Sequence, residues 1–213
     1  LVSVGMKSGG SLKYGYVDEA GKYIINPQFD ITYGFSDGLA SFRNGDSENG
    51  KWGFVEKSGK ISIPAQFDYV NDFVNGYSIV ITRTKEKGEV RYKYGAIDKT
   101  GKYVINPQYE EMGNFSSGLF PVKQKGKWGF IDTTGKFIVN PQYALADSFH
   151  EELASVCTGT PKNGNGLLCG FIDPKGTVLV PLQFQSAGSF KDGYAVIGSG
   201  DFDSKGEGRK FGF

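Results

Sequence analysis

An aromatic-Gly-aromatic motif recurs along the whole chain at a near-constant spacing, and copies of one short unit must solve their packing in one common way. The motif stands at Tyr14-Gly15-Tyr16, Trp52-Gly53-Phe54, Trp128-Gly129-Phe130 and Phe211-Gly212-Phe213, with degenerate copies at Tyr94-Gly95-Ala96 and Cys169-Gly170-Phe171. With that Gly as offset zero, successive copies are separated by 38, 42, 34, 41 and 42 residues. Each of five full copies has an acid at +3 (Asp18, Glu56, Asp98, Asp132, Asp173) and Gly at +6 (Gly21, Gly59, Gly101, Gly135, Gly176). Gln stands at +13 (Gln28, Gln66, Gln108, Gln142, Gln183), an aromatic at +14 (Phe29, Phe67, Tyr109, Tyr143, Phe184) and Phe at +20 (Phe35, Phe73, Phe115, Phe149, Phe190). Offset +23 is Gly except in the fourth copy, which has Glu152. All length variation falls in the linker after offset +27, which has 9, 13, 5, 12 and 13 residues.

The whole of 1–213 therefore reads as a single array. Its units are a partial one at 1–13, full ones at 14–51, 52–93, 94–127, 128–168 and 169–210, and a partial one at 211–213. A chain that opens and closes in mid-repeat is expected to be cut from a longer array.

In each unit two β-prone runs flank the linker, as Leu119-Phe120-Pro121-Val122 and Trp128-Gly129-Phe130-Ile131 do around five residues. That pattern predicts a hairpin. The Asp-x-x-Gly turn that follows predicts a second hairpin, with Asp bonding the turn backbone and Gly taking positive φ. The unit is thus a three-stranded antiparallel meander: strand a near +24 to +27, strand b near −1 to +3, strand c near +7 to +10. Pro at +11 or +12 is expected to stop strand c, because it has no N–H for a ladder. The Gln-aromatic pair and the Phe at +20 then fall in a crossover, both rings filling the wedge between neighbouring sheets. No segment keeps a helical period over three turns. The fold class is all-β, with the meanders arranged as a propeller-like ring or, alternatively, an open curved β-solenoid.

Composition narrows the function. A net charge of +1 and 22% charged residues argue against a nucleic-acid partner, and no apolar run is long enough for a transmembrane helix, so no membrane insertion is expected. No signal peptide is visible in residues 1–13, and no phosphate-binding Gly loop is present. The 31 aromatics (17 Phe, 12 Tyr, 2 Trp) call for a folded core, and most stand at repeat offsets.

Cys157 and Cys169 bracket the fourth linker at the end of strand a and the start of strand b. Opposite strands of a hairpin bring two Cys within disulfide distance, and such a bridge would offset the missing Trp at position 169. The alternative is two buried free thiols. Two Cys alone make no zinc site, and no cofactor is implied. His150-Glu151-Glu152 offers an imidazole and two carboxylates, the groups of an acid/base or metal site. It reads more simply as a divergent exposed turn that can touch a partner. Asp201 and Asp203, near Lys205, and the run Asp46-Ser47-Glu48-Asn49-Gly50 resemble calcium loops only faintly and read as solvated turns. The acid at +3 and Gln at +13 recur in every unit, which suits structural tasks rather than a glycosidase pair: the acid fastens its turn, and the Gln amide serves backbone groups in the crossover.

Lys-Trp-Gly-Phe at 51–54 and 127–130, Asp-x-x-Gly-Lys, Asn-Pro-Gln-Tyr and Phe-Ser-x-Gly-Leu together give a chain that resembles the WG-repeat (KWG-repeat) family over essentially its whole length. Tyr14, Tyr94 and Cys169 in the Trp place, and Ala96 after the Gly, depart from the family pattern through lost packing bulk. The resemblance implies bacterial occurrence, frequent export, variable copy number and an interaction module without a general catalytic site. Together with the Cys pair it places the protein in an extracytoplasmic compartment. The expected function is a non-catalytic protein-interaction or scaffold module, its linkers emerging along one edge and Arg83, Lys85, Lys87, Arg91, His150, Asp201 and Asp203 available to a protein partner. The alternative is a carbohydrate or cell-wall binder using Tyr33, Tyr69, Tyr92 and Phe202 as exposed platforms. An enzyme, such as a hydrolase, is the weakest reading, given a single His and no nucleophile motif.

Overall fold

Short β-prone runs joined by tight turns pair with their sequence neighbours, since closing a short loop costs the least chain entropy. The computed structural model describes residues 1–8, 10–86, 88–162, 165–199 and 210–212, and the described residues contain strands and turns but no helix. The chain divides into two compact units, Leu1–Gln108 and Tyr109–Phe213.

In the first unit, β1 (Val2–Ser8), β2 (Ser11–Val17) and β3 (Tyr23–Phe29) form a three-stranded sheet. A second sheet runs β4 (Ile31–Ser36), β5 (Leu39–Asn44), β6 (Lys51–Glu56) and β7 (Ile61–Phe67). The third has β8 (Tyr69–Val70), β9 (Tyr77–Glu86), β10 (Glu89–Asp98) and β11 (Tyr103–Tyr109). The second unit holds a sheet of β12 (Glu111–Met112), β13 (Phe120–Gln124), β14 (Lys127–Ile131) and β15 (Phe137–Tyr143). Beside it β16 (Leu145–Ala146), β17 (Ala154–Lys162), β18 (Asn165–Ile172) and β19 (Val178–Phe184) form another, followed by β20 (Ser186–Ala187), β21 (Ile197–Ser199) and β22 (Lys210–Gly212). All pairings are antiparallel between consecutive strands, so each sheet is an open up-and-down meander.

The predicted a–b–c meander is present, and two details differ from expectation. The crossover is not bare: it contributes a short fourth strand on the outer side of strand a, as β4 pairs with β5 and β12 with β13. Nor does proline end strand c. Pro27, Pro64, Pro107, Pro141 and Pro181 lie inside β3, β7, β11, β15 and β19, and the Gln-aromatic pair completes each of those strands. Strand c is the edge strand, so its outer side asks for no N–H, and the ladder is bulged there. Between Trp52↔Phe67 and Phe54↔Ile63, strand c carries two extra residues opposite Gly53.

The rings fill the wedges between successive sheets as expected. The +1 ring of one sheet meets the +20 Phe that follows it: Tyr16–Phe35 at 4.8 Å, Phe54–Phe73 at 4.7 Å, Phe130–Phe149 at 5.0 Å and Phe171–Phe190 at 4.8 Å. Where the third copy has Ala96, Phe115 packs on Phe120 at 4.8 Å. The +14 rings Phe29, Phe67, Tyr109 and Tyr143 are buried, and Phe29 stacks on Phe42 of the next sheet at 4.3 Å. The Tyr16 hydroxyl, buried among these rings, bonds the Thr32 hydroxyl and donates to the Tyr33 carbonyl at 2.6 Å.

Candidate functional site

Four of the five b–c turns are fastened by their own aspartate, as the spacing predicts. In the second copy the longer Glu56 pairs instead with Lys60 Nζ at 3.3 Å, and the Ser58 hydroxyl accepts the Lys60 N–H at 3.4 Å. Asp132 Oδ1 accepts the N–H groups of Thr134 at 2.8 Å and Lys136 at 3.1 Å, and Asp98 and Asp173 repeat the arrangement. A hydroxyl bond from Thr134 holds the Asp132 carboxyl below its usual pKa, and the backbone N–H of Thr177 does the same for Asp173. These carboxylates are committed to turns. Gln28 Nε2 reaches only the Asn26 carbonyl, at 3.4 Å and within its own strand, so its amide serves β3 rather than a crossover.

The two residues at +22 and +23 both have positive φ in every copy: Asp37-Gly38, Asn75-Gly76, Ser117-Gly118, Glu151-Glu152 and Asp192-Gly193. They form a two-residue turn of type I′ that connects the crossover to strand a. Successive turns are stitched together. Asp37 Oδ2 accepts the Gly76 N–H at 2.6 Å, and Glu151 accepts those of Asp192 and Gly193 at 2.6 and 2.8 Å. His150, bridged to Leu153, opens the Glu151-Glu152 turn and is exposed. Glu152 accepts a bond from the Ser117 hydroxyl at 2.9 Å. This segment is a structural clamp, and its groups converge on no common point.

At the opposite end of the strands, the a–b hairpins present a different chemistry. A cross-strand pair joins offset +28 to the −1 residue of the next copy: Gly5–Tyr14, Arg43–Trp52, Ile81–Tyr94, Lys123–Trp128 and Cys157–Cys169. Where Trp is present, its partner is a cation lying over the ring, Arg43 at 5.8 Å and Lys123 at 5.9 Å. Where Trp gives way to Cys169, the partner is Cys157, and the two form a disulfide across directly opposed residues with Cα atoms 4.0 Å apart. An acid at +15 grips the same hairpins. Asp30 binds Lys13 Nζ at 2.6 Å and the Gly45 N–H at 2.9 Å, while Asp68 pairs with Lys51 and accepts the Arg83 N–H at 2.8 Å.

One narrow cleft in the first unit lies between the hairpins after β5 and β9, lined by Arg43, Glu48, Trp52, Asp68, Tyr69 and Arg83, with room for little more than a water-sized group. Tyr33 lies flat on Trp52, ring centroids 5.5 Å apart and planes 6° from parallel, with 54% of its surface exposed. Tyr69 and Tyr92, also exposed, meet edge to face at 6.1 Å. The structure thus brings together Tyr69, Tyr92 and Arg83 of the residues expected from sequence, and places Tyr33 on the cleft's Trp52. Lys85 is exposed on β9, and Arg91 pairs with Glu89 at 3.2 Å. Lys87, Asp201, Phe202 and Asp203 lie outside the described residues. Sequence reasoning passes over Arg43 and Trp52. The signal for them is the copy-to-copy change of the pair they form, legible only once the register of strands a and b is known.

An apolar cavity of about 170 Å³ in the second unit is lined by Phe171, Val180, Phe184, Phe190, Ala195 and Ile197, which include the wedge-packing offsets +1, +14 and +20. Among the described residues no cluster of His, Cys, Asp and Glu has the makings of a metal site, and no helix is long and apolar enough to cross a membrane.

A sequence profile of the WG-containing repeat matches residues 14–47, 52–82, 94–128, 128–159 and 170–200. No curated protein matches the chain. Among solved structures, a crystal structure of the tricorn protease is similar over 95% of this chain, with 13% identity and a TM-score of 0.31. The chain spans 23% of that protein's length.

Proposed function

Because the chain belongs to the family of WG-containing repeats, we propose that it is a non-catalytic binding module that engages a protein partner through its a–b hairpins. The observation that carries this reading is the surface of the first unit. There the exposed rings of Tyr33, Tyr69 and Tyr92 surround Arg43 and Arg83, whose guanidinium groups have no ion-pair or hydrogen-bond partner among the described residues. Tyr and Arg are enriched at the energetic centres of protein interfaces, where a rigid ring or a planar fork loses little entropy on contact. Elsewhere in the repeat, acids and aromatics are used up in turns and wedges, which leaves the hairpins as the place where copies differ. Exchange of 81–93, 157–168 and 198–210 for short turns is expected to abolish partner capture while thermal melting shows the array still folded. Unchanged capture refutes the reading.

A second reading, a carbohydrate or cell-wall binder, is favoured by one observation. Tyr33 is backed on one face by Trp52 and exposed over more than half its surface, the posture of a stacking platform for a sugar ring. A glycan screen in which Tyr33→Ala and the native protein give the same empty result removes it.

An extracytoplasmic location belongs to the same proposal. The Cys157–Cys169 disulfide is compatible with an oxidising compartment. Mass analysis of unreduced protein from its native source is expected to show both cysteines oxidised, and two free thiols there overturn that location.

A further inference from the structure

The repeat supplies its own control for the cleft. Arg43 and Lys123 occupy the same offset, each over a Trp. Lys123 has a carboxylate across the strand, Glu111, at 2.5 Å. The residue opposite Arg43 at that position is Ile31. Arg43 is therefore the copy whose cation has been left without its counter-ion, and its Nε is buried with no hydrogen-bond partner. Burying a guanidinium nitrogen without an acceptor is costly, and a carboxylate is the group whose geometry satisfies it. The nearby acids are engaged elsewhere. Asp30 is held by Lys13 and the Gly45 N–H, Asp46 by the N–H groups of Glu48 and Asn49, and Asp68 by Lys51 and the Arg83 N–H. Glu48 stands on the cleft wall and makes no ion pair with either arginine.

We infer that the Arg43–Arg83 cleft is a receptor for the carboxylate of an aspartate or glutamate side chain in an acidic peptide segment of the partner. The incoming carboxylate plays for Arg43 the part that Glu111 plays for Lys123, with Trp52 beneath it and Tyr69 at the side. Width decides between carboxylate sources. With room for little more than a water-sized group, the cleft takes only the tip of a carboxylate on a slim, flexible stem, whereas the carboxylate of an acidic sugar is held off by its own ring. This inference rests on the protein-partner reading and names what that partner presents.

The test uses the whole chain carrying Trp128→Phe, which leaves Trp52 as the only Trp, titrated with hexaglutamate, hexaglutamine and hexagalacturonate. Hexaglutamate is expected to perturb Trp52 emission saturably, and calorimetry to weaken about tenfold for Arg43→Gln and for Arg83→Gln, the loss of one charge-assisted bond each. Arg43→Lys, which keeps the charge and loses the fork, is expected to fall between. Lys22→Gln, the same charge change in a b–c turn, is expected to stay within about twofold, since exposed charges at that range are screened. Hexaglutamine is expected to be silent. No hexaglutamate binding, equal losses in Lys22→Gln and Arg43→Gln, or binding of hexagalacturonate without hexaglutamate each overturn the inference, provided the variants melt like the parent. If hairpin exchange abolishes partner capture while Arg43→Gln and Arg83→Gln leave it intact, the inference falls and the protein-partner reading stands.

Discussion

Glycine at offset zero sits in mid-strand without a positive φ, so conformational freedom is not what it supplies. A Cβ on Gly53 would stand 2.5 Å from the Ile63 carbonyl oxygen, and one on Gly15, Gly95, Gly129 or Gly170 would meet the matching carbonyl at 2.2 to 2.5 Å. The bulged strand c, with its proline, passes directly over strand b, and a hydrogen is all that fits. Gly53→Ala is accordingly expected to lower unfolding free energy in urea by about 3 kcal/mol. Gly34→Ala, where a Cβ meets nothing within 4 Å, is the matched control and is expected to be near neutral. At offset +23 the requirement is conformational instead. Glu152 holds φ at 63°, which an L side chain adopts only at a cost. Glu152→Gly is expected to stabilise by about 1 kcal/mol despite the lost Ser117 bond, measured by the same titration. The Gly requirement at +6 is readable from the Asp-x-x-Gly turn. The one at offset zero is not, because it depends on a carbonyl ten residues further along the chain.

The a–b hairpin is where copies of the element diverge, and they diverge in pairs. Cation with Trp, Gly with Tyr, Ile with Tyr, and Cys with Cys are four ways of filling one cross-strand position. The disulfide therefore replaces packing lost with the Trp. By chain entropy, closing so short a loop stabilises by about 3 kcal/mol. Cys157→Ser with Cys169→Ser is expected to lose that amount and to speed hydrogen exchange most in β17 and β18. Unchanged exchange there would mean that the strands hold without the bridge. The hairpins and the Cys pairing were legible in the sequence from spacing alone. The fourth strand was not, for two-residue pieces such as Tyr69-Val70 carry no period to read and form only because strand a offers them an edge. Prolines read as strand stops for a sound reason, but whether a strand lies at an edge is a property of the sheet.

At the scale of the molecule, seven aspartates among the described residues, namely Asp30, Asp37, Asp46, Asp68, Asp98, Asp132 and Asp173, have pKa values held below the ordinary one. Lys13 and Lys99 supply the main cause for Asp30 and Asp37, and the Asn49 N–H for Asp46. At Asp68 and Asp98 burial pulls upward and is outweighed, by Lys51 and Arg83 with the Arg83 N–H at one and by Thr100 and Lys102 at the other. A depressed folded pKa means that the unfolded chain takes up the proton first. This stability is complete above the unfolded value of about 4 and is lost as pH falls through the folded values. Burial raises the pKa of Tyr16, Tyr103, Tyr109 and Tyr143, so their contribution is present below about pH 10 and is lost above it. Denaturation midpoints are expected to stay level between these limits and to fall on both sides. Asp132→Asn combined with Asp173→Asn is expected to soften the acid limb specifically, and an identical limb would show that the turns draw nothing from these charges.

By itself the sequence determined the repeat, its phase, the aspartate turns, the wedge rings and the placing of the two Cys on facing strands. All of these are local, fixed by spacing within one unit or between one unit and the next. Tertiary structure decided which strand lies at the edge, why offset zero admits only Gly, and which cation lacks a counter-ion. Those facts depend on which strands lie side by side and in what register, set by the bulge and by neighbouring hairpins rather than by sequence spacing. For that reason Arg43, unremarkable among 24 Lys and Arg residues in sequence, becomes the centre of the candidate site only in the folded protein.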